Sequence, residues 1–180
     1  MEPKLTLVLG GASSGKSAWA ERLVESFGGA RLYLATAQPQ DREMRARIAR
    51  HRARRGPGWR TREEPLAPGA ALAGLGPADC VLLDCATLWL SNHLLAGSDI
   101  AAETDNLLES LCRCRARVVV VSNEVGHGII PASALARRFR EAQGQLNIRL
   151  AEQADLVVLI TAGLAQTLKG RLPAADSQAP

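Results

Sequence analysis

An α/β fold built on a doubly wound, mostly parallel sheet is predicted by three features of this 180-residue sequence. Five short apolar runs, Leu5 to Leu9, Arg31 to Thr36, Cys80 to Asp84, Val118 to Ser122 and Leu156 to Thr161, are nearly continuous rather than alternating. Strands buried on both faces of a parallel sheet read that way. The stretches between them, Lys16 to Ser26, Asp41 to Arg54, Ile100 to Cys114 and Ala132 to Gln153, are long enough for helical crossovers. The first run also leads straight into Gly10 to Ser17, GGASSGKS, which satisfies G-x-x-x-x-G-K-[ST] at every fixed position.

That loop predicts a nucleotide-binding P-loop. Glycines let the backbone N–H groups turn inward around phosphate oxygens, Lys16 supplies a positive charge to the β and γ phosphates, and the Ser17 hydroxyl suits Mg²⁺. The chain has only three lysines, Lys4, Lys16 and Lys169, so one falling at the fixed position is informative. The helix that follows carries Ala18, Ala20, Leu23, Val24 and Phe27 at amphipathic spacing, so the loop has the strand-before, helix-after context that the chemistry needs.

Composition narrows the class. With 47% hydrophobic and 22% charged residues, the chain suits one globular catalytic domain over residues 1–172, followed by a small, polar, proline-bounded tail over 173–180 that is expected to be mobile. A net charge of +4 admits anionic ligands but is too small to imply nucleic acid. Cys80, Cys85, Cys112 and Cys114 have neither zinc-knuckle nor thioredoxin spacing and read as free thiols. No apolar stretch approaches the ~18 residues of a membrane span, and the run from Leu5 to Ala12 lacks the basic flank of a signal peptide. A cytoplasmic protein with no membrane span is the expectation.

In an open α/β sheet, ligands bind beyond the carboxyl ends of the strands. The residues at the second strand's end are Thr36, Ala37 and Gln38; at the third's, Asp84 and Cys85; at the fourth's, Asn123 and Glu124. Asp84 and Glu124 are rival carboxylates for orienting Mg²⁺ beside the P-loop, and the sequence does not separate them. Between the second and third apolar runs, Asp41 to Arg62 is dense in arginine. Met44, Ile48 and His51 share one stripe of the predicted helix, so His51 faces inward amid positive charge. A solvated basic helix, or an arm that contacts nucleic acid, would read similarly, although Trp59 is the one aromatic nearby. His93 reads as a helix-face residue, and His127 lies in a glycine turn.

Several separated motifs agree on one family. GGASSGKS, YLATAQ (Tyr33 to Gln38), EMRARIARHR (Glu43 to Arg52), GPGWRTRE (Gly56 to Glu63), LLDC (Leu82 to Cys85), SNEVGHGIIP (Ser122 to Pro131) and Leu135 to Asp155 together resemble the bifunctional adenosylcobinamide kinase / adenosylcobinamide-phosphate guanylyltransferases of cobalamin synthesis. The resemblance implies a RecA-like P-loop fold, a homotrimer and two reactions. One is phosphorylation of adenosylcobinamide by ATP or GTP. The other is transfer of GMP from GTP to adenosylcobinamide phosphate through a guanylyl-histidine, releasing pyrophosphate.

By matching position, the resemblance makes His51 the nucleophile and Lys16 the second catalytic residue. It assigns nucleotide binding to Gly10, Gly11, Ala12, Ser13, Ser14, Gly15, Lys16 and Ser17, to Ala35, Thr36 and Ala37, to Arg52, Ala53, Arg54 and Arg55, and to Glu63 and Asp84. For Mg²⁺, the expected ligands are Ser17 and Asp84. Two departures stand out: Ser13 replaces an arginine usual in family P-loops, and HRARRGP replaces an HKDGRP-like stretch. A P-loop kinase acting alone and a nucleic-acid-associated P-loop NTPase are the competing readings.

Overall fold

A computed structural model describes residues 2–38 and 42–173, without the side chains of Glu43, Met44, Arg47 and Arg54 in the second helix. The Met44 side chain of the predicted stripe and the tail after residue 173 therefore lie outside what is described. Seven strands form one sheet: β1 (Leu5–Gly10), β2 (Ala30–Ala35), β3 (Trp59–Glu63), β4 (Asp79–Asp84), β5 (Arg117–Asn123), β6 (Leu156–Thr161) and β7 (Leu164–Lys169). Their order is β3-β2-β4-β5-β1-β6-β7, parallel throughout except for β7, which pairs antiparallel with β6. The helices are α1 (Lys16–Ser26), α2 (Arg42–Arg55), α3 (Pro68–Leu72), α4 (Ala86–Ala96), α5 (Ile100–Arg113) and α6 (Ala134–Gln153).

The five apolar runs are the five central strands, and their burial explains their composition. In β5, Val118 to Val121 lie between β1 and β4 with both faces covered, and all four are buried. One face packs Leu7, Leu34, Leu83 and Val120 against α3 to α6 through Leu72, Trp89, Leu107 and Leu146. The opposite face packs Val8, Leu82, Val119 and Val158 against Trp19, Leu23 and Val24 of α1. This is a three-layer sandwich with the P-loop strand near its middle.

One strand, β5, separates the P-loop strand β1 from the strand that carries Asp84. That spacing accords with the RecA-like fold that the family resemblance implies. It places Gly10 beside Asn123 at the carboxyl edge and Asp84 level with Val121 on the neighbouring strand, where helix N-termini and loops converge.

Candidate functional site

The P-loop is held by its neighbours as much as by its own turns. Gly15 takes φ 93°, open to a residue without Cβ, and α1 begins at Lys16, so the helix N-terminus points into the loop. Gly10 has no room for a side chain, because a Cβ there would lie 2.7 Å from the Ile160 carbonyl oxygen. The Gly163 N–H donates to the Ser14 carbonyl at 2.8 Å, which ties the loop to the turn between β6 and β7. Lys16 is buried and donates from Nζ to the Gly11 carbonyl at 2.9 Å. Ser13 adopts a left-handed φ of 58° and is exposed, while Gly11 and Ala12 are exposed and Ser17 half-buried beside it. The Ser14 hydroxyl is buried with no hydrogen-bond partner among the described residues.

A cleft opens beyond the carboxyl ends of β2, β3 and β4, roofed by α2. Ala35, Ala37, Ile48, His51, Arg52, Arg55, Glu63 and Asp84 line it, together with Tyr33, Thr61, Cys85 and Leu88. Nδ1 of His51 lies 4.0 Å from Oδ2 of Asp84, and the Tyr33 hydroxyl donates to the same Oδ2 at 2.8 Å. Burial, then the Asp84 charge, push the Tyr33 phenol well above its ordinary range. The same two causes, in that order, push the Cys85 thiol up to about 11, so it is a protonated wall of the cleft rather than a nucleophile.

The match to known proteins is broad. A model of the family described as "Cobinamide kinase / cobinamide phosphate guanyltransferase", CobU, fits residues 6–168. The chain belongs to that family.

Two curated CobU-family proteins extend the likeness over nearly their whole length. The chain is 48% identical to the bifunctional adenosylcobalamin biosynthesis protein CobP of Pseudomonas aeruginosa, covering 91% of this chain and 96% of that one. It is 40% identical to the corresponding CobU of Escherichia coli, over 92% and 99%. Among solved structures, the P4 protein of bacteriophage phi6 with ADP covers 96% of this chain but is itself covered over 59%, at 18% identity and a TM-score of 0.45.

Other family positions fall in more than one place. Thr36 is fully buried, and its hydroxyl both donates to the Cys85 carbonyl and accepts from the Cys85 N–H, each at 2.8 Å. It pins β2 to β4, while its neighbours Ala35 and Ala37 face the cleft. Arg55 is also buried: its guanidinium lies 3.3 Å from the centre of the Tyr33 ring and its Nη1 4.0 Å from Glu21. Arg52 and Ala53 are exposed, and the Arg54 side chain lies outside the described residues. Glu124 accepts the Gly126 N–H at 2.7 Å, so part of its carboxylate closes its own turn. His93 is a buried face of α4, with Nδ1 3.0 Å from Ser98 Oγ and Nε2 3.0 Å from the Leu66 carbonyl.

Two residues that sequence reasoning passed over matter here. Asn92 donates to the carbonyls of Thr36 and Pro65, at 2.8 and 3.0 Å, and so fixes the chain where it leaves β2. Tyr33 supports Asp84, and its sequence signals are its place at the head of the YLATAQ motif and its being the chain's single tyrosine.

Among the described residues there is no group of three or more His, Cys, Asp or Glu suited to a metal ion. Ser17, half-buried at the start of α1, and Asp84, at the end of β4 on the same edge of the sheet, are oxygen donors of the kind that Mg²⁺ takes beside phosphate. No helix among the described residues is long and apolar enough to cross a membrane.

Proposed function

We propose that this chain phosphorylates adenosylcobinamide with ATP or GTP, and then transfers GMP from GTP onto the resulting phosphate through a guanylyl-histidine at His51. The observation that carries the reading is His51 facing the Asp84 carboxylate inside a lined cleft on the same sheet edge as the P-loop. Membership in the family supports both activities.

For phosphoryl transfer, the protein supplies position and charge. P-loop amides and the α1 N-terminus receive the phosphates, and Lys16, already inside the loop, shifts from the Gly11 carbonyl to a phosphate oxygen. Mg²⁺, held by Ser17 and Asp84, would neutralise charge on the β and γ phosphates. For guanylyl transfer, imidazole suits the task because it attacks when neutral and leaves again from a phosphoramidate. Arg52 at the cleft wall stabilises negative charge on the phosphates. Glu63 lies in register with Ala35, and Ala35 with Asp84, so the two carboxylates share one face of the sheet two strand spacings apart, roughly 10 Å. Phosphate at the His51 end and base at the Glu63 end is the orientation we assign, in a cytoplasmic homotrimer.

Incubation with α-labelled and γ-labelled GTP, separately, tests the reading. The α label should stay on denatured protein through alkali and be lost in acid, and the γ label should not be retained. His51→Ala should abolish the α label yet phosphorylate adenosylcobinamide. Uptake of α label by that variant at the wild-type level would sink the assignment.

A further inference from the structure

Tyr33 sits where the two working parts of the cleft meet. On α2, His51 and Arg55 are four residues apart and so project from one face of the helix. Both reach the same place: the Arg55 guanidinium covers the Tyr33 ring at 3.3 Å, and His51 Nδ1 faces Asp84 Oδ2 at 4.0 Å. The Tyr33 hydroxyl closes the set by donating to that same oxygen at 2.8 Å. The Trp59 ring meets the Tyr33 ring edge-on at 6.4 Å, and the tyrosine is buried, so the phenol has little freedom to move.

We infer that Tyr33 is a positioning residue for guanylyl transfer: its ring seats the His51-bearing helix through Arg55, and its hydroxyl fixes the Asp84 oxygen that faces Nδ1. The inference rests on His51 as the nucleophile. A carboxylate facing Nδ1 selects the tautomer that carries its proton there, which leaves the Nε2 lone pair for the α phosphorus. As the Nε2–P bond forms, the bond from phosphorus to the bridging oxygen breaks, and pyrophosphate departs with the electron pair. Nδ1 keeps its proton, and Asp84 offsets the positive charge on the ring. In the onward transfer an oxygen of adenosylcobinamide phosphate bonds to phosphorus as the N–P bond breaks and its electron pair returns to Nε2. A carboxylate free to rotate would do this poorly, and the phenol is what stops the rotation.

Tyr33→Phe removes the hydroxyl and keeps the ring beneath Arg55. In single-turnover labelling of the full chain with α-labelled GTP, the rate constant at saturating GTP should fall about tenfold, while the GTP concentration for half-saturation stays within twofold. A residue that merely supported the fold would not split the two in this way. The second comparison is Asp84→Asn against the Tyr33→Phe/Asp84→Asn pair, where no carboxylate is left for the phenol to hold. With both variants folded by circular dichroism, the two should label at the same measurable rate. An unchanged rate constant in Tyr33→Phe overturns the inference, as does an equal loss in both backgrounds. A wild-type protein that takes up no α label overturns the guanylyl-histidine reading itself.

Discussion

Lys16 has two partners in prospect, and the contrast between them predicts what its removal does. Its ammonium is buried and satisfied by the Gly11 carbonyl, so the side chain helps to shape the loop that it serves. Lys16→Ala should abolish phosphorylation of adenosylcobinamide and cost roughly 1 kcal/mol of stability for the lost hydrogen bond. A kinase assay and urea unfolding read the two effects. Wild-type turnover by the folded variant would remove the P-loop lysine from the mechanism. At this scale the sequence was legible wherever a motif fixes the chemistry, as at Lys16 and His51. It was not legible for Tyr33, Asn92 or Thr36, whose roles arise from contacts with Asp84, Pro65 and Cys85 across 27 to 56 residues of chain. Such contacts depend on lateral register between strands, which no local pattern encodes.

The elements that escaped the sequence are those without a continuous apolar run. β3, WRTRE, is an edge strand whose last four residues are exposed, and β7, LAQTLK, is exposed throughout, so neither carries the signal of a buried strand. The sign of β7 was its turn: Ala162 and Gly163, with φ of 53° and 81°, join β6 to β7 as a two-residue hairpin. That turn also ties down the P-loop through Gly163. β3 has a comparable local purpose, since alternation puts Thr61 and Glu63 on the cleft side while Arg60 turns to Asp79. A carboxylate accepts from both the N1–H and the exocyclic amine of guanine, whereas adenine would oppose it with the N1 lone pair. With ATP and GTP compared in α-label uptake, Glu63→Gln should therefore reduce the preference for GTP about tenfold, in line with the loss of one charged contact. An undiminished preference would move base recognition away from β3.

Across the whole molecule, three of the four cysteines and the single tyrosine lie inside the sandwich, and this makes the fold sensitive to alkali. Burial raises the Cys80, Cys85 and Cys114 thiols above the ordinary value of 9.0, with Cys85 reaching about 11, and it raises the Tyr33 phenol above 10.0. In the folded protein these groups hold their protons at pH values where the unfolded chain has released them. The unfolded state then binds fewer protons than the native state, so stability falls as pH rises. The contribution is fully present below about pH 9 and is lost for Cys85 between 9 and 11, on the order of 3 kcal/mol for that thiol alone at ~1.4 kcal/mol per unit. Urea midpoints should be level from pH 7 to 8.5 and drop by pH 10.5, with a smaller drop in Cys85→Ala. Brief alkylation of the native protein at pH 8 should modify exposed Cys112 and spare the three buried thiols, whereas the urea-unfolded chain reacts at all four. If the Cys85→Ala midpoint falls as far as that of the parent between pH 8.5 and 10.5, the buried thiol is not what limits the fold in alkali.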